Sequence, residues 1–416
     1  MPAFGHTWTR TERQDSRRVA SRPAISIQGV GDQVATQRSP RGFDVRIAIV
    51  GTRGVPARYG GFETFAEELG SRLVERGHRV TVYARSHAVP SGVTEYRGMA
   101  IRVLPTVRHK YFDTVVHTAF SVMDLVPRRF DVVLICNAAN APFALIAALS
   151  GAKVVLNVDG LEWQRKKWGI VGRTYYRLCS WLAPRLPAVL VSDARVVADF
   201  YRTRRGSRTV YIPYGASPSI TLPGNTLDQL GLSPDGYLLY VSRLEPENNA
   251  DLVLEAYRAA GGKLRLQVPL VIVGDAPYAT DYKASLQAIA AETPGVIMTG
   301  YLFGEAYAEL QSNCALYIQA TEVGGTHPAL VEAMARAACI VAQDVPEHRE
   351  VLADAGVYFD RASATSLAGR LKELLSDPER RRELGRRAQR RATDEYSWDH
   401  VTDEYETLFA GMFLRR

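Results

Sequence analysis

The strongest constraint on this 416-residue chain is a repeated pattern of short apolar runs, each of strand length, separated by helical stretches. In the first half the runs are 46–50, 79–83, 132–135, 153–157, 188–192 and 209–212. In the second half they are 237–241, 269–273, 296–299, 315–318, 338–342 and 356–359. Strands that are apolar on both faces belong to parallel sheets covered by helices on each side. Between the two series lies 216–236, rich in Pro, Gly and Ser. The pattern predicts an α/β protein with two Rossmann-like domains, 45–215 and 237–395, joined by a 216–236 linker and facing a central cleft. A closing helical segment occupies 396–416.

Composition narrows the class. A hydrophobic share of 46% and a charged share of 23% exclude a chain disordered throughout, a collagen-like repeat and a disulfide scaffold. Cys136, Cys179, Cys314 and Cys339 lie far apart with no CxxC and no His at metal spacing, which predicts reduced thiols in a cytoplasmic protein. No apolar run near the N-terminus reads as a secretory signal. Residues 1–44 carry seven Arg against four acids and no apolar periodicity, the mark of a disordered basic tail or of an extension from an upstream start. The uncharged stretch Val132–Ala152 contains Asn137, Asn140, Pro142, Ser150 and Gly151, which suit strand, loop and buried helix better than a membrane span.

In open α/β sheets ligands lie beyond the carboxyl ends of the strands, so the segments just after strands carry the chemistry. Gly51-Thr-Arg-Gly-Val-Pro-Ala-Arg-Tyr-Gly-Gly-Phe-Glu63 follows the first strand and leads into a helix. Its glycines, among them Gly60 and Gly61, let backbone N–H groups approach an anion, and Arg53, Arg58 and Tyr59 stand in the same loop. The alternative is a loop that needs glycine for its geometry alone. A GxGxxG dinucleotide pattern is absent, which argues against a dehydrogenase. Later, Asn157-Val-Asp-Gly-Leu-Glu-Trp-Gln-Arg-Lys-Lys-Trp168 offers Asp159 and Glu162 to sugar hydroxyls, Trp163 to a sugar face and Arg165 as a cation. The stretch Arg173–Arg185 mixes Tyr175, Tyr176 and Trp181 with arginines, which suits either an anionic membrane surface or a charged face over a core stripe.

In the second half, Arg243 follows a strand and is suited to bidentate phosphate contact, or to pairing with Glu245 or Glu247. Glu322-Val-Gly-Gly-Thr-His-Pro-Ala-Leu-Val-Glu-Ala-Met334 places two glycines ahead of a helix with Pro328 in its first turn. That arrangement aims the N–H groups of Gly324, Gly325 and Thr326 at a diphosphate, with Glu332 one turn in, positioned for ribose hydroxyls; the alternative is a helix cap with a surface Glu. No DxD occurs, so a carboxylate-held metal lacks its usual sign. His78 and His117 read as structural.

These segments, with GGFETFAEELGSRLVERGHRVTVY, VSRLEPEN, LVIVGDAPY and YSWDHVTDEYETLF, resemble glycosyltransferases of the GT-B fold, family four, over nearly all of 45–410. More narrowly, GTRGVPARYGGFET, NVDGLEWQRKKW and EVGGTHPALVEAMA are similar to bacterial rhamnosyltransferases of cell-surface polysaccharide assembly. The resemblance implies a second domain that binds a nucleoside-diphosphate sugar, a first domain that binds the acceptor, retention of configuration, no metal or cofactor, and a last segment from Tyr396 that packs back on the first domain. It departs from the family at three places. The motif's two glutamates stand eight apart, yet here Gly324 precedes Glu332 by eight and Glu322 is displaced by two. The Lys that follows the family's Arg is Asn248, leaving Arg243 as the main cation. A His after a first-domain strand is replaced near Asp159.

The resulting expectation is a retaining transfer of a deoxyhexose, L-rhamnose from dTDP-rhamnose, to a lipid-linked saccharide. Arg243, Asp159 and Glu162 act in catalysis. Gly60, Gly61, Arg243, Asn248, Gly324, Gly325, Thr326, His327 and Glu332 hold the donor; Arg58, Tyr59, Asp159, Glu162, Trp163 and Arg165 hold the acceptor. A nucleotide-sugar epimerase of the same architecture and a non-catalytic nucleotide-sugar-binding protein are the alternatives. The net charge of +7 is local: 1–44, 163–177 and 378–391 are basic, and the rest of the chain is net acidic. The patch at 163–177 adjoins the acceptor loop, which points to an anionic membrane surface on the inner face of the cell membrane or to a pyrophosphate-linked acceptor rather than to nucleic acid.

Overall fold

The computed structural model describes residues 44–58, 60–109, 111–186, 188–276 and 279–414. Residues 1–43 of the basic tail and Tyr59, named above as an acceptor contact, lie outside them. The first half runs β1 (Arg46–Val50), α1 (Gly61–Glu75), β2 (Arg79–Arg85), β3 (Glu95–Tyr96), β4 (Met99–Leu104), α2 (Asp113–Leu125), β5 (Val132–Cys136), α3 (Phe143–Ala148), β6 (Lys153–Asn157), α4 (Ile170–Leu182), β7 (Ala188–Ser192), α5 (Arg195–Arg205) and β8 (Val210–Tyr211). The second begins with α6 (Asn225–Leu230), β9 (Leu238–Val241), α7 (Ala250–Ala259), α8 (Gly262–Leu266), β10 (Leu270–Val273), α9 (Thr280–Ala291) and β11 (Val296–Gly300). It continues through α10 (Gly304–Asn313), β12 (Leu316–Gln319), α11 (Pro328–Ala335), β13 (Ile340–Gln343), α12 (Pro346–Leu352) and β14 (Val357–Phe359). Helices α13 (Ala364–Leu375), α14 (Pro378–Glu395) and α15 (Trp398–Leu414) close the chain.

The strands form two sheets, ordered β3-β4-β2-β1-β5-β6-β7-β8 and β11-β10-β9-β12-β13-β14. The pairings are parallel except for β3 with β4. In each sheet the order reverses beside the first strand: Ile47 is in register with both Val80 and Val132, and Leu238 with both Leu270 and Leu316. The crevices at these reversals open at the carboxyl ends of β1 and β5 and of β9 and β12, where the motif segments begin. The central strands read as unbroken apolar runs because helices cover both faces; all residues of β5 and β10 are buried.

Helix α15 lies on the first domain. Its Val401, Tyr405 and Phe409 share a core with Phe65 and Leu69 of α1, and Glu406 meets His78 Nε2 at 2.8 Å. The region 216–236, read as a linker, is instead a packed part of the second domain. Leu227 and Leu232 join Tyr237 and Leu239 in one core, and the Glu309 carboxylate accepts from the N–H groups of Gly224 and Leu227 at 2.8 and 3.0 Å. The uncharged stretch 132–152 forms β5, a short turn and α3. Among the described residues no helix is long and apolar enough to cross a membrane.

Candidate active site

Where the two domains meet lies a cleft of about 880 Å³. On its first-domain side the β1–α1 turn passes close to the β5 end: a Cβ on Gly51, whose φ is +91°, would sit 2.4 Å from the Cys136 carbonyl oxygen. Two amides of this loop are already used inside the domain, Arg53 N–H by Glu63 and Ala57 N–H by Glu67, at 2.8 and 2.7 Å. The loop therefore offers the cleft Arg53, Gly60 and Gly61 rather than a ring of amides. Gly61 faces the second domain, where a Cβ would stand 2.7 Å from Pro328 Cγ. Arg58 is exposed and does not line the cleft, so Arg53 is the loop's cation there.

The β6 end turns sharply at Asp159, a half-buried residue with φ +49°, held by an N–H donated to Asn157 Oδ1 at 3.1 Å. Residues kept in this sparsely populated region concentrate at functional sites. Burial and the neighbouring Glu162 charge push the Asp159 carboxyl up. Glu162 goes the other way. Burial alone would raise it, but the charges of Arg165, Lys167 and Arg243 hold it at about 2. Its oxygens accept from Arg165 Nε and from Trp168 Nε1. Two acids three positions apart are thus driven to opposite protonation behaviour, the arrangement that separates a proton-holding group from a permanently charged one. Trp163 does not reach the cleft; its ring packs 5.1 Å from that of Phe200, which corrects its reading as a sugar platform.

Deeper on the same wall, Arg85 and Asp113 form a buried pair at 2.7 Å. They come from the end of β2 and the start of α2, and both line the cleft. Sequence reasoning missed them because a charge at a strand end and another 28 residues later show no local pattern.

From the second domain, Arg243 extends after β9 with Nη2 3.7 Å from Glu245 Oε2. Lys167 of the first domain approaches the same oxygen at 3.3 Å, so one carboxylate gathers cations from both domains. Burial, then the Arg243 charge, lowers Lys167 to about 8. Asn248 lines the cleft, yet its amide donates to the Arg243 carbonyl at 2.6 Å and so positions that residue. Glu322 does not line the cleft and pairs with Lys166 at 3.2 Å. Glu332 does line it, accepting from Tyr307 OH at 2.7 Å, and burial raises its pKa.

The turn ahead of α11 differs from expectation at one atom group. The Thr326 N–H donates to Asp193 Oδ2 at 2.7 Å and its hydroxyl to the Asp193 carbonyl, so a first-domain carboxylate holds the amide predicted to meet a diphosphate. Gly324 and Gly325 line the cleft. Their missing side chains permit this approach: a Cβ on Gly325 would sit 2.2 Å from the Asp193 carboxylate oxygens, and one on Gly160 2.9 Å from the Gly324 carbonyl carbon. Burial and the Asp159 charge push Asp193 well up. His327 lines the cleft at the start of α11, its ring 5.0 Å from that of His348, and burial keeps it neutral.

Residues 228–391 match the family model described as Glycosyl transferases group 1, and residues 45–217 match DUF1972, a domain of unknown function. The chain is 25% identical to the O-antigen chain mannosyltransferase B of Escherichia coli over 49% of its length and 52% of that protein's, so it spans about half of that relative. It is 26% identical to the GDP-mannose-dependent alpha-(1-6)-phosphatidylinositol monomannoside mannosyltransferase of Mycolicibacterium smegmatis, over 83% of this chain and 94% of that one. Anabaena HepE, solved in complex with UDP-glucose, superposes with a TM-score of 0.72 at 18% identity, covering 88% of this chain and 100% of that chain. The fold is therefore GT-B, two parallel-sheet α/β domains facing one cleft, and its second half carries the sequence signature of Glycosyl transferases group 1.

Proposed function

We propose that the protein is a glycosyltransferase that moves a sugar from a nucleoside diphosphate to a saccharide acceptor. The observation that carries this reading is convergence: Arg243, Gly324, Gly325 and Glu332 of the second domain share one cleft with Asp159, Glu162 and Lys167 of the first. Arg243 stabilises the charge that grows on the leaving diphosphate. Lys167, brought to the same Glu245 oxygen from the opposite domain, supplies the second cation that the family pattern places where Asn248 stands. Fixed charges of this kind, already oriented before reaction, are usually the largest catalytic contribution. Glu332 holds the ribose, and Asp159 with Glu162 orients the acceptor hydroxyl.

The bond between the anomeric carbon and the phosphate oxygen breaks as the acceptor oxygen bonds to that carbon on the same face. The acceptor proton passes to the leaving phosphate oxygen, so configuration is retained and no separate base is required. The mannosyltransferase relatives support the reaction class. The sugar rests on the resemblance of GTRGVPARYGGFET and its companion motifs to rhamnosyltransferases, which makes dTDP-rhamnose the donor and a lipid-linked saccharide at a membrane surface the acceptor.

The test offers the purified protein dTDP-, GDP- and UDP-sugars with and without saccharide acceptors, and reads nucleoside diphosphate release and product configuration. Acceptor-dependent release, fastest with dTDP-rhamnose and lost in Arg243→Ala, is expected. An isomerised sugar formed from donor alone would replace this reading with an epimerase. Tight donor binding without turnover would replace it with a binding protein.

A further inference from the structure

Exposed large apolar side chains in the first domain are concentrated on one set of helices. Helix α4 is apolar on two opposite faces. Gly172, Tyr176, Cys179 and Ser180 are buried against the domain, while Ile170, Val171, Leu178 and Trp181 point away from it, Ile170 and Val171 at 85% and 77% exposure. Both sets recur at helical spacing, so the outward stripe is a surface and not a frayed end. Neighbouring helices continue it: Leu145 on α3 and Leu149 just after it, with Phe120 and Met123 on α2, are exposed in turn. Helices α2 to α4 cover the same face of the first sheet through one core, and Tyr175 OH of α4 donates to Ala139 O in the lead-in to α3 at 2.9 Å.

The charge around this stripe has one sign. Arg173, Arg177 and Arg185 stand exposed on α4 and just after it, and no Asp or Glu occurs between Glu162 and Asp193. The acids of α2 are engaged, Asp113 with Arg85 and Asp124 with Arg102 and Arg128. The basic helix α14 differs: Arg380, Arg386, Arg387 and Arg391 are paired with Glu373, Glu383 and Glu395. Among the described residues, Arg173 and Arg177 have no carboxylate partner. The 163–177 patch of the sequence therefore divides. Arg165 and Lys167 turn into the cleft, and Arg173 and Arg177 remain on the outer face.

We propose that the α2–α3–α4 face docks on an anionic lipid bilayer, with Ile170, Val171, Leu178 and Trp181 entering the headgroup boundary and Arg173, Arg177 and Arg185 meeting lipid phosphates. Apolar side chains inserted between cations are the composition of an interfacial helix. A second copy of the chain on the same face would set two surfaces of the same charge sign together, since a two-fold contact uses one patch on both copies. Trp168, two residues before α4, lines the cleft, so the docking face and the cleft are joined through one short segment. The inference rests on the lipid-linked acceptor proposed above for its purpose, but its test uses neither donor nor acceptor, so either can fail alone.

Full-length protein is co-sedimented with phosphatidylcholine vesicles made with and without phosphatidylglycerol, across a salt series. Binding is expected only with the anionic lipid and weakens as salt rises. Ile170→Glu/Leu178→Glu abolishes it, and each of Arg173→Gln and Arg177→Gln weakens it by roughly five-fold. These positions are exposed, and an unchanged thermal melt confirms that the variants fold. Binding that ignores anionic lipid, or that survives Ile170→Glu/Leu178→Glu, overturns the proposal. So does a concentration-dependent dimer in sedimentation velocity that the same double substitution dissolves.

Discussion

On its second-domain wall the cleft is a glycine turn with Arg243 from just after β9, Glu332 from the first turns of α11 and the neutral imidazole of His327. On its first-domain wall it is a set of buried ions: Arg85 with Asp113, Glu162 with Arg165, and Lys167 reaching across to Glu245. The first construction uses close backbone approach, which requires only the right residue at each position of one short segment. The second uses charges that burial would penalise singly by several kcal/mol each and that persist because partners from distant segments neutralise them. In the reaction proposed above, the first wall takes the diphosphate, with Lys167 reaching it from the second, and the rest of the second wall takes the acceptor hydroxyls.

The largest effect that would break this contrast is on Arg243. Arg243→Ala should reduce nucleoside diphosphate release by about 10²–10³-fold, while Arg243→Lys, lacking the planar fork, should recover only part of it; steady-state kinetics on both variants checks this. A smaller but still large loss is expected where the walls touch. In Gly325→Ala the new Cβ meets the Asp193 carboxylate at 2.2 Å, and relief requires that carboxylate to swing off the Thr326 amide or the domains to part, so turnover should fall by roughly 10–100-fold with both domains still folded by circular dichroism.

Next is the cation that crosses the cleft. Lys167→Met should weaken nucleoside diphosphate binding about ten-fold, the loss of one charge-assisted contact, and leave binding of the parent nucleoside unchanged in calorimetry. The same lysine sets a pH dependence. Its pKa, lowered to about 8 by burial and by Arg243, with Glu162, Arg165 and Glu245 also facing it, means that the ammonium is lost as pH rises through 8. Diphosphate affinity should therefore fall above that pH, and Lys167→Arg should remove the step because a guanidinium stays charged. The smallest effect sharpens the contrast from outside the cleft. Trp163→Ala and Arg58→Ala should leave kinetics within about two-fold, and only Trp163→Ala should lower thermal stability, through its contact with Phe200.

Much of the second-domain wall could be read directly. EVGGTHPALVEAMA and VSRLEPEN are contiguous, each follows a strand, and burial on both faces makes those strands unbroken apolar runs. The antiparallel edge was not readable in the same way, because β4 buries only Met99 and Ile101, exposes Ala100 and Val103 and contains Arg102. On the first-domain wall the acids Asp159 and Glu162 were readable from one segment, whereas Arg85 and Asp113 were not. The role of Asp193 was equally hidden, since its partner Thr326 lies 133 residues away.

What the sequence determined by itself was the layering: two parallel sheets, the strand ends at which motifs sit, and the residue types offered there. These follow from local periodicity and from the backbone freedom of glycine, both properties of neighbouring residues. Tertiary structure alone decided which offered groups face one another. It gave the Thr326 amide to Asp193, turned Trp163 away and Lys167 inward, and left α4 with a second apolar face. Those outcomes depend on distances between segments far apart in the chain, and the energy of a buried charge or an exposed apolar stripe is set by its neighbours in space.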